Sequence, residues 1–81
     1  MTRLQRDVSG EQLAQKLSML GYHKVRQTGS HIILTTVVHG EYHLSVPRHS
    51  PLQTGTLSRL LHQEAKHQGI SVEELIEILQ L

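Results

Sequence analysis

The spacing of apolar residues changes twice along the chain. It begins helical: Leu13, Ala14, Leu17 and Leu20 recur at intervals near three and four, behind a capping-box pair, Ser9 and Gln12, and ahead of Gly21, a residue suited to ending a helix. A first helix over about residues 10–20 follows. From residue 22 to 47 the period falls toward two, Tyr, Val, Ile and Thr become frequent, and two breaks, Thr28-Gly29-Ser30 and His39-Gly40-Glu41, divide the stretch. Three strands in a meander fit, about 22–27, 31–38 and 42–47. Pro47 and Pro51 bound a loop, after which helical spacing returns at Leu57, Leu60, Leu61 and Ala65, from Thr54 or Thr56 to just before Gly69. A last helix presents Val72, Leu75, Ile76 and Leu79 behind a second capping pair, Ser71 and Glu74. Residues 1–8 are polar and read as a frayed lead-in, and 9–81 as a single domain.

The order α-β-β-β-α-α predicts an α+β fold, a three-stranded antiparallel sheet with its helices gathered on one face and the other face open. Strand alternation then sorts side chains. Ile32, Leu34, Thr36 and Val38 are the more apolar set of the central strand and belong to the helix side, which leaves His31, Ile33, Thr35 and Val37 on the open side. By the same rule Tyr42, Leu44 and Val46 point inward and His43 and Ser45 outward, and an inward Val25 places Lys24 and Arg26 outward. Neighbours in a strand face opposite ways, so Ser30 and His31 are not expected to touch.

Composition narrows the chemistry. With 81 residues, neither Phe nor Trp, and only Tyr22 and Tyr42 as aromatics, the core is built from Leu, Ile and Val, with Tyr22 a core residue. The absence of cysteine excludes disulfides and thiolate chemistry. No apolar run approaches the roughly 20 residues of a membrane span, so the protein is read as soluble and cytoplasmic, with no membrane partner. The formal charge is only +1, but seven histidines titrate near neutrality. His39 and His43 have a metal-like spacing without a third ligand, so no metal site is assigned, and His62 and His67 read as solvated surface residues.

Gly21-Tyr22, Arg26-Gln27-Thr28-Gly29-Ser30-His31, Val46-Pro47-Arg48-His49 and Gly55-Thr56-Leu57, in that order, resemble the successive signatures of the HicA-type (YcfA-like) mRNA interferase toxins, over roughly residues 9–80. The resemblance implies a double-stranded-RNA-binding-domain-like fold, cleavage of mRNA without metal or cofactor, and a HicB-type antitoxin partner. It also implies that the histidine of the Gly-Ser-His motif, His31, is catalytic. Two positions depart from the family's habit. Gln53-Thr54 stands where Lys or Arg commonly precedes Gly-Thr-Leu, and Glu11 where a lysine is common in the first helix. Both changes remove positive charge from the expected RNA surface.

One imidazole suits that chemistry, because RNA brings its own nucleophile, the 2′-hydroxyl, and general acid–base help is typically worth about 10²–10⁴-fold. Gly29 and Ser30 are candidate backbone N–H donors to a phosphate oxygen, and Arg26, with Lys24, supplies fixed charge on the same face. Arg48 and His49 read either as an exposed loop or as a second RNA contact reaching toward His31. Ile33 and Val37, with His43, are candidates for covering by the antitoxin. The alternative is a non-catalytic RNA-binding module of the same fold, and a further one a purely protein-binding domain.

Overall fold

The computed structural model describes residues 7–81. Ser9 caps helix α1, Gly10–Leu17, with both halves of the capping box formed: its hydroxyl accepts from the Gln12 backbone, and the Gln12 side chain accepts from the Ser9 backbone at 2.9 Å. The helix tightens into a 3₁₀ turn, Ser18–Leu20, and stops at Gly21, whose φ of 98° a side chain rarely adopts. Strands β1 (His23–Gln27), β2 (His31–Thr36) and β3 (Tyr42–Pro47) form one antiparallel sheet in the order β1-β2-β3. Helix α2, Thr54–Gln68, ends at a left-handed Gly69, and α3, Val72–Leu79, starts on a Ser71 hydroxyl that accepts from the Glu74 backbone. The second capping pair thus forms in its N–H half, while the Glu74 carboxylate turns to the Ser71 hydroxyl at 3.4 Å.

This is the expected α+β arrangement, of the double-stranded-RNA-binding-domain type. One core fills the space between sheet and helices. Leu13 and Leu17 of α1 meet Ile32 and Leu34 of β2, Leu44 and Val46 of β3, and the apolar stripes of α2 and α3. Each such residue contributes about 1.5–3 kcal/mol by leaving water. Tyr22 is in this core, as expected. Lys16 ties the first helix to the third, its ammonium donating to the carbonyls of Leu79 at 3.0 Å and Gln80 at 3.2 Å.

The lead-in lies mostly outside the described residues; at its last position Val8 is buried and its carbonyl accepts from the Leu52 N–H at 2.8 Å. Within the sheet, expectations are corrected at β2 and at β1. Strand β2 ends at Thr36, whose hydroxyl accepts from the Val38 N–H and turns the chain away. Val37 and Val38 are therefore both exposed, past the strand, and Val38 is not inward. In β1 the register slips between Lys24, opposite Leu34, and Arg26, opposite Ile33. Val25, the extra residue of that bulge, is 58% exposed, and Lys24 lies on the helix side, away from Arg26.

Candidate functional site

Thr28 sets the geometry of the β1–β2 turn. Its N–H donates to the His31 carbonyl at 2.9 Å, and its hydroxyl accepts from the N–H groups of His31 at 2.9 Å and Ser30 at 3.3 Å. One side chain therefore holds the backbone of the two residues that follow Gly29. Gly29 itself has no left-handed φ, and a Cβ placed there meets nothing within 4 Å. The fold does not require a glycine at this position, and its bare backbone faces solvent.

His31 heads β2 with its ring exposed, opposite Pro47 of β3. Its Nδ1 and the Ser30 hydroxyl share a hydrogen bond of 2.9 Å. This overturns the expectation from alternation. Ser30 still belongs to the turn, where neighbouring side chains are not forced to opposite faces, so its hydroxyl swings onto the ring.

The chain leaving β3 closes the site from the other side. Arg48 donates its N–H to the Ser30 carbonyl at 2.8 Å, and its guanidinium reaches the Gly29 carbonyl from Nη1 at 3.4 Å and the Glu11 carboxylate from Nη2 at 3.0 Å. The His49 carbonyl accepts from the Gly10 N–H at 2.9 Å. Helix α1 approaches so closely that a Cβ on Gly10 would lie 1.8 Å from the Pro47 carbonyl oxygen. Three segments, the helix start, the hairpin turn and the end of β3, thus converge at His31. The departure noted at Glu11 has a structural counterpart: its carboxylate engages the Arg48 guanidinium beside the turn.

Of the other residues picked from the sequence, Arg26 shares the open face and pairs with Ile33, diagonal to His31, a relation that spans about 7–8 Å in an antiparallel sheet. His43 is exposed opposite Thr35, 3.7 Å from Glu41. His49 is exposed beside Arg48. Lys24 lies apart from these, lining a cavity of about 420 Å³ between α1 and β1 with Glu11, Gln15, Ser18 and Gln27. His67 is corrected too: it is half-buried, stacked on Tyr42 at 4.4 Å, with Nε2 3.0 Å from the Val38 carbonyl. Among the described residues no three His, Asp or Glu side chains converge as a metal-ligand set.

Away from the turn, Tyr22 and Glu64 form a buried pair that spacing alone did not single out. The Tyr22 hydroxyl donates to the Glu64 carboxylate, whose other oxygen accepts from Gln68 at 2.8 Å. Burial first, then the neighbouring carboxylate, pushes the Tyr22 hydroxyl far above its ordinary range, so it keeps its proton.

A family model described as the HicA toxin of bacterial toxin–antitoxin systems matches residues 10–65, from the start of α1 through most of α2 and across the whole convergence at His31. No curated protein and no solved structure matches the chain.

Proposed function

Since the chain belongs to the HicA toxin family of bacterial toxin–antitoxin systems, we propose that it is an endoribonuclease that cuts mRNA in the cytoplasm, with His31 as its general acid–base. The observation that carries the reading is the exposed imidazole on a turn whose backbone is locked and whose Gly29 is free of any packing demand. A bare backbone beside a titratable ring is what close approach by a phosphodiester needs. Arg26 shares the open face with the ring and Arg48 closes the turn beside it. Because the N–H groups of Thr28, Ser30 and His31 are engaged within the turn, the Gly29 N–H is the donor assigned to a phosphate oxygen, with the exposed His49 next to Arg48 as a further contact.

The chemistry is transesterification. The ribose O2′ attacks phosphorus, the P–O5′ bond breaks, and one proton passes from O2′ to the departing O5′, leaving a 2′,3′-cyclic phosphate and a 5′-hydroxyl. The imidazole takes that proton from O2′ and the resulting imidazolium delivers one to O5′, while the guanidinium groups offset the charge that builds on the phosphoryl oxygens. In this reading no metal takes part. A HicB-type antitoxin holds the toxin inactive by covering the open face around Ile33 and His43, with the exposed Val37 at its margin.

His31→Ala is the direct test, with an RNA oligonucleotide as substrate and cleavage followed with and without EDTA. We expect wild-type cleavage to survive the chelator and the variant to lose about 10²-fold or more in rate. Its stability should stay within about 1 kcal/mol of wild type, as at an exposed position. Wild-type cleavage by the variant would remove His31 from the chemistry, and binding without cleavage by the wild-type protein would leave an RNA-binding module.

A further inference from the structure

We propose that Ser30 is a positioning residue for His31: its hydroxyl accepts the Nδ1 proton, so that Nε2 is the nitrogen that exchanges protons with RNA. The inference rests on the reading of His31 as the acid–base group. Its basis is the 2.9 Å contact between the Ser30 hydroxyl and Nδ1, made by two residues whose backbones are held independently. Thr28 fixes both N–H groups, and the Arg48 N–H fixes the Ser30 carbonyl. The pair is therefore set before substrate arrives, and the ring has one nitrogen engaged and one available.

The direction of the bond follows from what the ring must do. A serine hydroxyl can donate or accept, and a neutral imidazole has one nitrogen of each kind. If the hydroxyl donated to Nδ1, the neutral ring would carry its proton on Nε2, and its only basic nitrogen would face Ser30. If the hydroxyl accepts from Nδ1–H, Nε2 is a bare base in the neutral ring and an N–H acid in the imidazolium. The same hydrogen bond then persists through both states, and no bond to the protein breaks as the proton moves. A neutral hydroxyl orients the ring without fixing its charge, unlike a carboxylate. Ser30 does not touch the reacting atoms, and Thr28 acts one step further out by holding Ser30.

The experiment reads the ring itself as well as the rate. Two-bond ¹H–¹⁵N correlation spectra of the folded wild-type chain, above the pH at which the ring is protonated, should show a protonated Nδ1 and an unprotonated Nε2. An imidazole free in water prefers the reverse, so Ser30→Ala should move His31 toward Nε2–H, with unchanged melting temperature. Against the RNA oligonucleotide kcat should fall about tenfold and KM change by less than about twofold, because the loss is one of orientation in the reaction. Ser30→Thr, which keeps the hydroxyl, should restore both tautomer and kcat. An Nε2–H ring in the wild type, a wild-type tautomer in Ser30→Ala, or failure of Ser30→Thr to restore it would each overturn the proposal. The spectra do not depend on cleavage, so they separate a wrong role for Ser30 from a wrong role for His31, which wild-type activity of His31→Ala would expose.

Discussion

Tyr22 and Glu64 are 2% and 1% exposed, and each satisfies the other. Removing the hydroxyl takes from the buried Glu64 carboxylate one of its two donors among the described residues, so Tyr22→Phe should cost about 1–3 kcal/mol near neutral pH. The pH dependence has a definite sign. The Tyr22 proton is held more tightly in the folded chain than in the unfolded one, whose phenol titrates near 10.0. Stability from this group is therefore complete below pH 10.0 and is lost as pH rises beyond it, by up to about 1.4 kcal/mol per pH unit. Denaturant unfolding of wild type and Tyr22→Phe from pH 8 to 11 should show the difference between them shrinking above pH 10, and parallel curves would refute it. Half of this pair was legible. Tyr22 reads as core from its place between a helix-ending glycine and a strand. Glu64 stands seven residues after Leu57, on the apolar stripe of α2, and a carboxylate there needs a buried donor, but spacing does not say which side chain provides it.

The element that departs furthest from its sequence pattern is β1. Tyr22 and Val25 cannot both face the core of a regular strand, because they are an odd number of residues apart. The structure keeps Tyr22 inside, so alternation sends Val25 outward and Lys24 inward, and the bulge between Lys24 and Arg26 then returns Arg26 to the open face. The odd spacing was visible in the sequence, while the choice of which residue gives way depends on the Glu64 partner across 42 residues. The turn that follows was legible as a turn, yet its hydrogen bonds were not, since alternation does not govern a residue outside the strand. Helix α1 has its own constraint at its start. Gly10→Ala would press a methyl group onto the Pro47 carbonyl, a backbone atom that cannot rotate away, and should destabilise the fold by about 3 kcal/mol or more. It should also lower cleavage at temperatures where the variant is still folded, because the 47–49 segment that carries Arg48 must shift. A melting curve together with an activity assay below the transition checks both, and an unchanged melting temperature would mean that the helix and β3 separate without cost.

At the scale of the whole molecule, layer order and the sidedness of β2 and β3 followed from apolar spacing, since one face of each strand is far more apolar than the other. Which residues populate the open face was less legible, because Val37 lies past the end of its strand. Ile33, between Arg26 and Ser45, is left as the apolar centre of that face. Covering by an antitoxin would bury it, so Ile33→Asp should weaken co-purification with a HicB-type partner by about tenfold or more while the toxin stays folded. Unchanged co-purification would place the partner elsewhere. The bulge in β1 bears on association in a different way. β1 is an outer strand, and such strands offer unpaired backbone groups on which another chain can continue the sheet. Here that edge is five residues long, kinked at Val25 and flanked by Lys24 and Arg26, features that discourage edge-to-edge pairing. A partner approaching from this side has to be recognised through side chains, not through a shared ladder of hydrogen bonds. Two copies of this chain meeting at β1 therefore find no straight edge along which to extend the sheet.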